Sequence, residues 1–329
     1  MKRKLTRVFL TAVAALLFAG APALAQSSTA EGRFERTLEV SGAVELSVTT
    51  GSGNINVRPG EASKVKVVGI IKARDTRWGG LSAAEKVRQM EAHPPIEQTG
   101  SSIVIGRIED RELRENVSIS YEILTPVATR LRANAGSGNV LAEGLSGQAE
   151  AGTGSGNISL ANLTGDVRAQ TGSGDVDLRE LKGAVKATTG SGSIKALGIA
   201  GAFLGSTGSG NIEVEQSAAG DVEVNTGSGR IGARGLTGGL RATTGSGSIL
   251  AEGRPGSGWR VRTSSGNITL RLPADAGFEL AARTSSGTIH TVHPVTVQGT
   301  IGRREIRGVV RGGGALLEVS TSSGDIRIE

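Results

Sequence analysis

Eleven times the chain repeats one short phrase: a small residue, Ser-Gly, a polar residue, then an aliphatic one. Seven copies read Thr-Gly-Ser-Gly in full, as in Thr153-Gly154-Ser155-Gly156-Asn157-Ile158. In the central run the second glycine falls at Gly138, Gly156, Gly174, Gly192, Gly210, Gly229, Gly247 and Gly266. The steps are therefore 18, 18, 18, 18, 19, 18 and 19 residues. A period this regular marks a solenoid, in which each repeat is one rung that cannot bury its apolar face alone. It constrains the fold strongly and the function weakly, because rungs repeat a scaffold whereas a catalytic site is usually unique.

One rung, Asn157 to Gly174, places apolar residues at Ile158, Leu160, Leu163, Val167 and Ala169, and Thr171 continues the alternation. Spacing of two marks strands with one buried face. The rung reads as two short strands joined by two corners, one at the Ser-Gly phrase and one near Leu163 to Asp166. This predicts an all-β, parallel β-solenoid (β-helix) of about 18-residue rungs. A corner at Gly156 calls for positive φ, which glycine adopts without a Cβ clash. Stacking also gathers Thr171, Thr189, Thr207, Thr226, Thr244, Thr263 and Thr284 into a column, whose hydroxyls are expected to hydrogen-bond along it and satisfy corner groups.

Two ligand readings of the glycines fail. A phosphate loop needs Gly-Lys-Ser/Thr or a strand-loop-helix setting, and neither follows. A calcium β-roll needs a ladder of acidic oxygens, whereas the relevant column reads Ser159, Asp177, Lys195, Glu213, Gly232, Leu250 and Thr269. No metal or other cofactor is expected.

Residues 1–25 read as a signal peptide: Lys2, Arg3, Lys4 and Arg7, an apolar run from Val8 to Ala19, and Ala23-Leu24-Ala25 before Gln26. That apolar run is short for a membrane span, which takes about 20 residues, and no later stretch reaches that length. The chain holds no cysteine, so neither a lipid-attachment cysteine nor a disulfide is expected. Removing the four basic residues of the leader lowers the net charge from +6 to +2. With five Phe, two Trp and one Tyr, the chain lacks both the charge and the stacking platform of a nucleic-acid binder. The expected product is exported, to the periplasm or the cell surface.

The solenoid ends need caps, because open strand edges pair with other molecules. Residues 26–135 are expected to form N-terminal strands and a small capping insertion, with solenoid repeats over 136–329 continuous with it. Within the insertion, Lys64–Ile71, Ser102–Gly106 and Val117–Leu124 read as strands. Ser82 to Ala92 reads as the one helix, opened by Ser82 and Glu85 at capping-box spacing and closed before Pro94-Pro95. Trp78 and Met90 read as cap packing. At the other end the step grows to 21 and then 37 residues, and Ile301 to Leu317 is expected to close the stack.

The Ser-Gly-Asn/Asp-Ile rungs, the leader and the Ile123-Leu124-Thr125-Pro126 entry together resemble the bacterial DUF4097 family of adhesin-like β-strand repeat domains, over roughly residues 34–329. The resemblance implies a right-handed parallel β-solenoid at the cell envelope, and it brings no catalytic residues.

Chemistry is sparse. His290 and His293 stand three apart, which a strand puts on opposite faces, and no third metal ligand accompanies them. Glu213 and Glu215 face one way on a single rung, the nearest approach to the paired carboxylates of a polysaccharide lyase or hydrolase. That carbohydrate-active enzyme is the alternative reading, and a solvated face is the simpler account of the pair. On the outer side of the second strands, Arg241, Arg260, Arg262 and Arg283 form a basic patch suited to the carboxylates or phosphates of an acidic envelope glycan or lipid head group. The expectation is a non-enzymatic structural or adhesive surface with that patch as its ligand site.

Overall fold

The computed structural model describes residues 29–75, 80–297 and 302–329. The leader and Trp78 lie outside these residues. Two long sheets face each other, one of 14 strands and one of 15 among the described residues. Each rung contributes one strand to each. Ile158–Thr164 lies in the first sheet and Val167–Ser173 in the second. Each pairs in parallel with its equivalent one period away, Ile158 with Val176 and Val167 with Val185. The expected parallel β-solenoid is therefore the observed fold.

The core is a set of columns between the sheets. Leu160, Leu178, Leu163 and Leu181 from the first sheet are fully buried, as are Ala169 and Ala187 from the second. Long side chains from one sheet thus meet short ones from the other, which lets the sheets approach closely. Where the first-sheet residue shrinks to Ala196 and its partner column to Gly205, Phe203 fills the space. A Cβ on Gly205 would lie 2.7 Å from the Phe203 ring.

The spacing of Leu160 to Leu163 breaks strict alternation, and the backbone shows why. Asn162 has φ 55° and Glu180 has φ 51°, and Gly144, Gly198 and Gly235 hold the same place at 69°, 70° and 68°. One left-handed residue turns the first strand, so that both leucines point inward. The positive φ expected at Gly156 is absent: its φ lies outside the left-handed region. Glycine is required there by proximity, since a Cβ would lie 2.1 Å from the carbonyl oxygen of Gly138 on the adjacent rung. The threonine column also differs in detail. Its hydroxyls donate to glycine carbonyls of the preceding rung rather than to one another: Thr153 to Gly138 at 2.9 Å, Thr171 to Gly156 at 2.9 Å, Thr189 to Gly174 at 2.8 Å.

A second ladder runs beside it. The Asn139 N–H donates to Oδ1 of Asn54, Asn157 to Asn139, Asp175 to Asn157, and Ser193 to Asp175, at 2.8–2.9 Å. The polar residue after each corner therefore holds the backbone of the next rung. Each bond satisfies one corner N–H group on the exposed edge of the stack.

Both ends are threaded. At the N-terminal end, Val44–Ser52 and Ile55–Pro59 lie between the rung of Thr129–Ser137 and the outer strands Ser102–Ile105 and Val117–Thr125. The helix Ala83–Ala92 packs Val87 and Met90 into this cap, with the Ser82 hydroxyl accepting from Glu85 N–H at 3.2 Å. A single helical turn, Arg111–Arg114, follows. At the C-terminal end, Ala315–Ser323 and Ile326–Ile328 insert between the rung of Trp259–Ser265 and the strand Phe278–Ser286. Leu316 and Leu317 thus belong to an interior strand of the second sheet. The outer edge of Phe278–Ser286 is covered instead by the antiparallel strand Glu305–Val310.

Candidate functional site

On the second sheet the residues just after the inter-strand turn form a row that narrows to Ala184, Ala202, Gly239 and Gly258. Beside it stands a row of longer outward side chains: Arg168, Lys186, Leu204, Glu223, Arg241 and Arg260. Small next to large leaves a groove of about 730 Å³ running across the strands, parallel to the stack. Its floor is the buried column holding Phe203 and Trp259, and the Trp259 indole N–H donates to Gly238 O at 3.0 Å. Gln148 lies at one end and the half-exposed Leu316 at the other. From Arg168 to Arg241 is four strand steps, roughly 19 Å at about 4.8 Å each.

The expected basic patch meets this groove but is not one cluster. Arg241 and Arg260 are register neighbours, and Arg262 shares a strand with Arg260. The inserted C-terminal strand then places Glu318 opposite Arg260 and Ser320 opposite Arg262. Glu318 accepts from Arg260 Nε at 2.7 Å and also pairs with Arg262. These hydrogen bonds, Arg260 first, hold its carboxyl below the usual glutamate range. Arg283 is displaced one strand further, beyond Ser320. Two of the four arginines thus share one carboxylate, from a residue the repeat pattern did not single out. Its signal was present: Thr321-Ser322-Ser323-Gly324 repeats the corner phrase, so residues 315–329 make a rung of their own.

Arg168, Lys186 and Arg241 take part in no ion pair among the described residues. The groove also carries Asp166 and Asp221, but each accepts from a backbone N–H of the next rung, at 3.1 and 2.8 Å from Ala184 and Gly239. On the first sheet Glu213 is engaged by Arg234 at 2.9 Å. His290 is exposed, whereas His293 is buried with its ring edge-on to Phe278 at 5.5 Å. Among the described residues no group of three or more His, Asp or Glu is placed to hold a metal ion. None of their helices is long and apolar enough to cross a membrane.

The family model of Toastrack DUF4097 matches residues 28–205 and again 205–329. The chain belongs to the DUF4097 family. Among solved structures, this DUF4097 chain is similar to a putative lipid binding protein from Parabacteroides distasonis ATCC 8503, at 15% identity, with 73% of this chain and 96% of that one covered and a TM-score of 0.48. It is also similar to a putative adhesin from Bacteroides fragilis NCTC 9343, at 14% identity over 90% and 97% of the two chains and a TM-score of 0.34. A putative adhesin from Parabacteroides distasonis ATCC 8503 gives 12% identity over 90% and 97%, again with a TM-score of 0.34. No curated protein sequence matches the DUF4097 chain.

Proposed function

We propose that this protein is a non-enzymatic, exported β-solenoid of the cell envelope whose second sheet binds an extended acidic glycan chain. The groove carries the reading: it spans successive rungs, and its free cations, Arg168 and Lys186 on one side and Arg241 on the other, flank the apolar Leu204 and a single acidic residue, Glu223. A sugar chain presents both apolar ring faces and anionic substituents, which matches such a row. Arg260 closes the row at the groove's end and Arg262 and Arg283 extend the site beyond it, with Glu318 setting how much of the Arg260 and Arg262 charge a ligand meets. A lipid head group offers the same anionic chemistry to the arginines but no long chain for the groove.

Co-sedimentation of the mature chain with acidic envelope polymers and with anionic lipid vesicles separates these. Changing Arg168, Lys186 and Arg241 to Gln should reduce polymer binding at least several-fold, and Arg179→Gln on the first sheet should not. Loss of vesicle binding alone would favour a lipid head group, and equal binding by all variants would refute the site. Release of reducing ends from the polymer would instead establish the carbohydrate-active enzyme.

A further inference from the structure

Residues 278–329 form a module whose strand pairings with the rest of the chain, among the described residues, are all made by its last two strands. Phe278–Ser286 pairs only with Ala315–Ser323 and Glu305–Val310, and Ile289–Thr291 only with Ile326–Ile328. The docking plane is Trp259–Ser265 against Ala315–Ser323 and Ile268–Arg271 against Ile326–Ile328. It reproduces an ordinary rung junction in full. Leu317, Val319, Ile326 and Ile328 are completely buried. Thr321 Oγ1 donates to Gly266 O at 3.1 Å, and Asp325 N–H donates to Asn267 Oδ1 at 2.9 Å. Elsewhere in the central run successive strands are joined by corners of two to five residues, each leading to the adjacent position in the stack. Here the covalent link is the loop Leu272–Gly277, which passes over the inserted strand to reach Phe278.

We propose that this module exchanges between two copies of the chain, each docking its C-terminal strand pair on the other's Trp259–Ser265 and Ile268–Arg271 edge. The edge that receives the module is the same in a second copy, register included, so every docking contact forms equally well in trans. Six loop residues reach roughly 20 Å when extended, at about 3.3–3.6 Å each, whereas in cis they only step over one inserted strand. Short loops that double back in this way are the setting in which identical elements swap. Glu318 travels with the module, so exchange places it against the partner copy's Arg260 and Arg262.

The absence of cysteine makes the arrangement directly trappable. Ser265 and Ser323 are exposed and opposite in register, within the separation a disulfide bridges. The full-length double variant S265C/S323C should form an intramolecular link. An S265C/S286C link in its place would overturn the threaded order and the proposal with it. Chains carrying only S265C and only S323C, unfolded together and refolded at high concentration, should yield a disulfide-linked species of twice the mass. That species should exceed by several-fold what either single variant gives alone, and should fall as the refolding concentration is lowered. If the double variant links within one chain but the mixed single variants never exceed that background, the module docks only in cis and the exchange is refuted. A chain lacking Ala274 and Asp275 should be dimeric where the parent is monomeric; a monomer that still forms the intramolecular link would refute exchange equally.

Discussion

A Cβ at Gly156 would sit 2.1 Å from Gly138 O, and Gly174, Gly192 and Gly210 repeat the same approach at 2.0, 1.9 and 2.0 Å. These distances are far inside van der Waals contact, so a methyl group there must push two rungs apart. Gly156→Ala should cost about 1 kcal/mol or more, read as a lowered thermal midpoint. Gly232, whose Cβ would meet nothing within 4 Å, is the matched control. Gly232→Ala should be neutral or stabilising by up to about 1 kcal/mol, through reduced unfolded-state entropy. The need for glycine at each corner was legible in the repeat, and the positive φ expected there is found at Gly138, Gly247, Gly266, Gly287 and Gly324, at 144–154°. The close approach that requires glycine at Gly156 was not legible. A sequence shows that no side chain is tolerated; only the stacked rung shows what the side chain would strike. Strand register was fully legible. Leu178 is completely buried and Asp177 faces out beside Arg179 at 2.8 Å. Leu178→Ala should therefore cost about 2–5 kcal/mol, and Asp177→Ala less than about 0.5 kcal/mol, as an exposed pair allows. Equal losses in chemical denaturation would contradict the register.

Between rungs, the ladder of polar corner residues lacks two links among the described residues, at Arg230, whose side chain cannot accept, and at Ser248, which accepts nothing from Asn267. Arg230 N–H donates to Asn211 Oδ1 at 2.9 Å, but the arginine returns nothing to Ser248 on the next rung. Restoring an acceptor with Arg230→Asn should raise stability by about 0.5–1.5 kcal/mol, visible as a higher denaturation midpoint. Single rungs could be read from the sequence because alternation and corner phrases are local. Their order at the ends could not. Every rung offers the same threonine, serine and glycine to its neighbour, so the phrase at Gly324 fits beside Gly266 as well as the phrase at Gly287 does. The deciding contacts lie in residues outside the repeat, among them Glu305–Val310, which covers the edge of Phe278–Ser286.

Across the whole molecule, that threading determines the electrostatics of the candidate site, which is why four arginines read as one patch resolve into two free and two paired. Glu318→Gln should release Arg260 and Arg262 and strengthen acidic-polymer binding, with the gain fading as salt screens exposed charges. The same pair links the C-terminal rung to pH. Because the Glu318 carboxyl is held low by Arg260 and Arg262, its contribution to stability is whole above the ordinary glutamate pKa of about 4.3. It is lost as pH falls through the lowered value. Acid titration should therefore destabilise the parent chain more steeply than Glu318→Gln, and parallel curves would show that the pair contributes nothing.

Because each junction between Gly138 and Gly210 repeats the same glycine contact and threonine hydrogen bond, the array has no privileged length. An in-frame copy of Asn157–Gly174 inserted after Gly174 would find its neighbours ready on both sides. The particle would grow by about 4.8 Å, and a second Arg168 would enter the groove one step from the first. Tandem duplication thus works on this architecture as a ruler, adjusting the spacing of cations along the groove in increments of one rung while the chemistry of each rung stays the same.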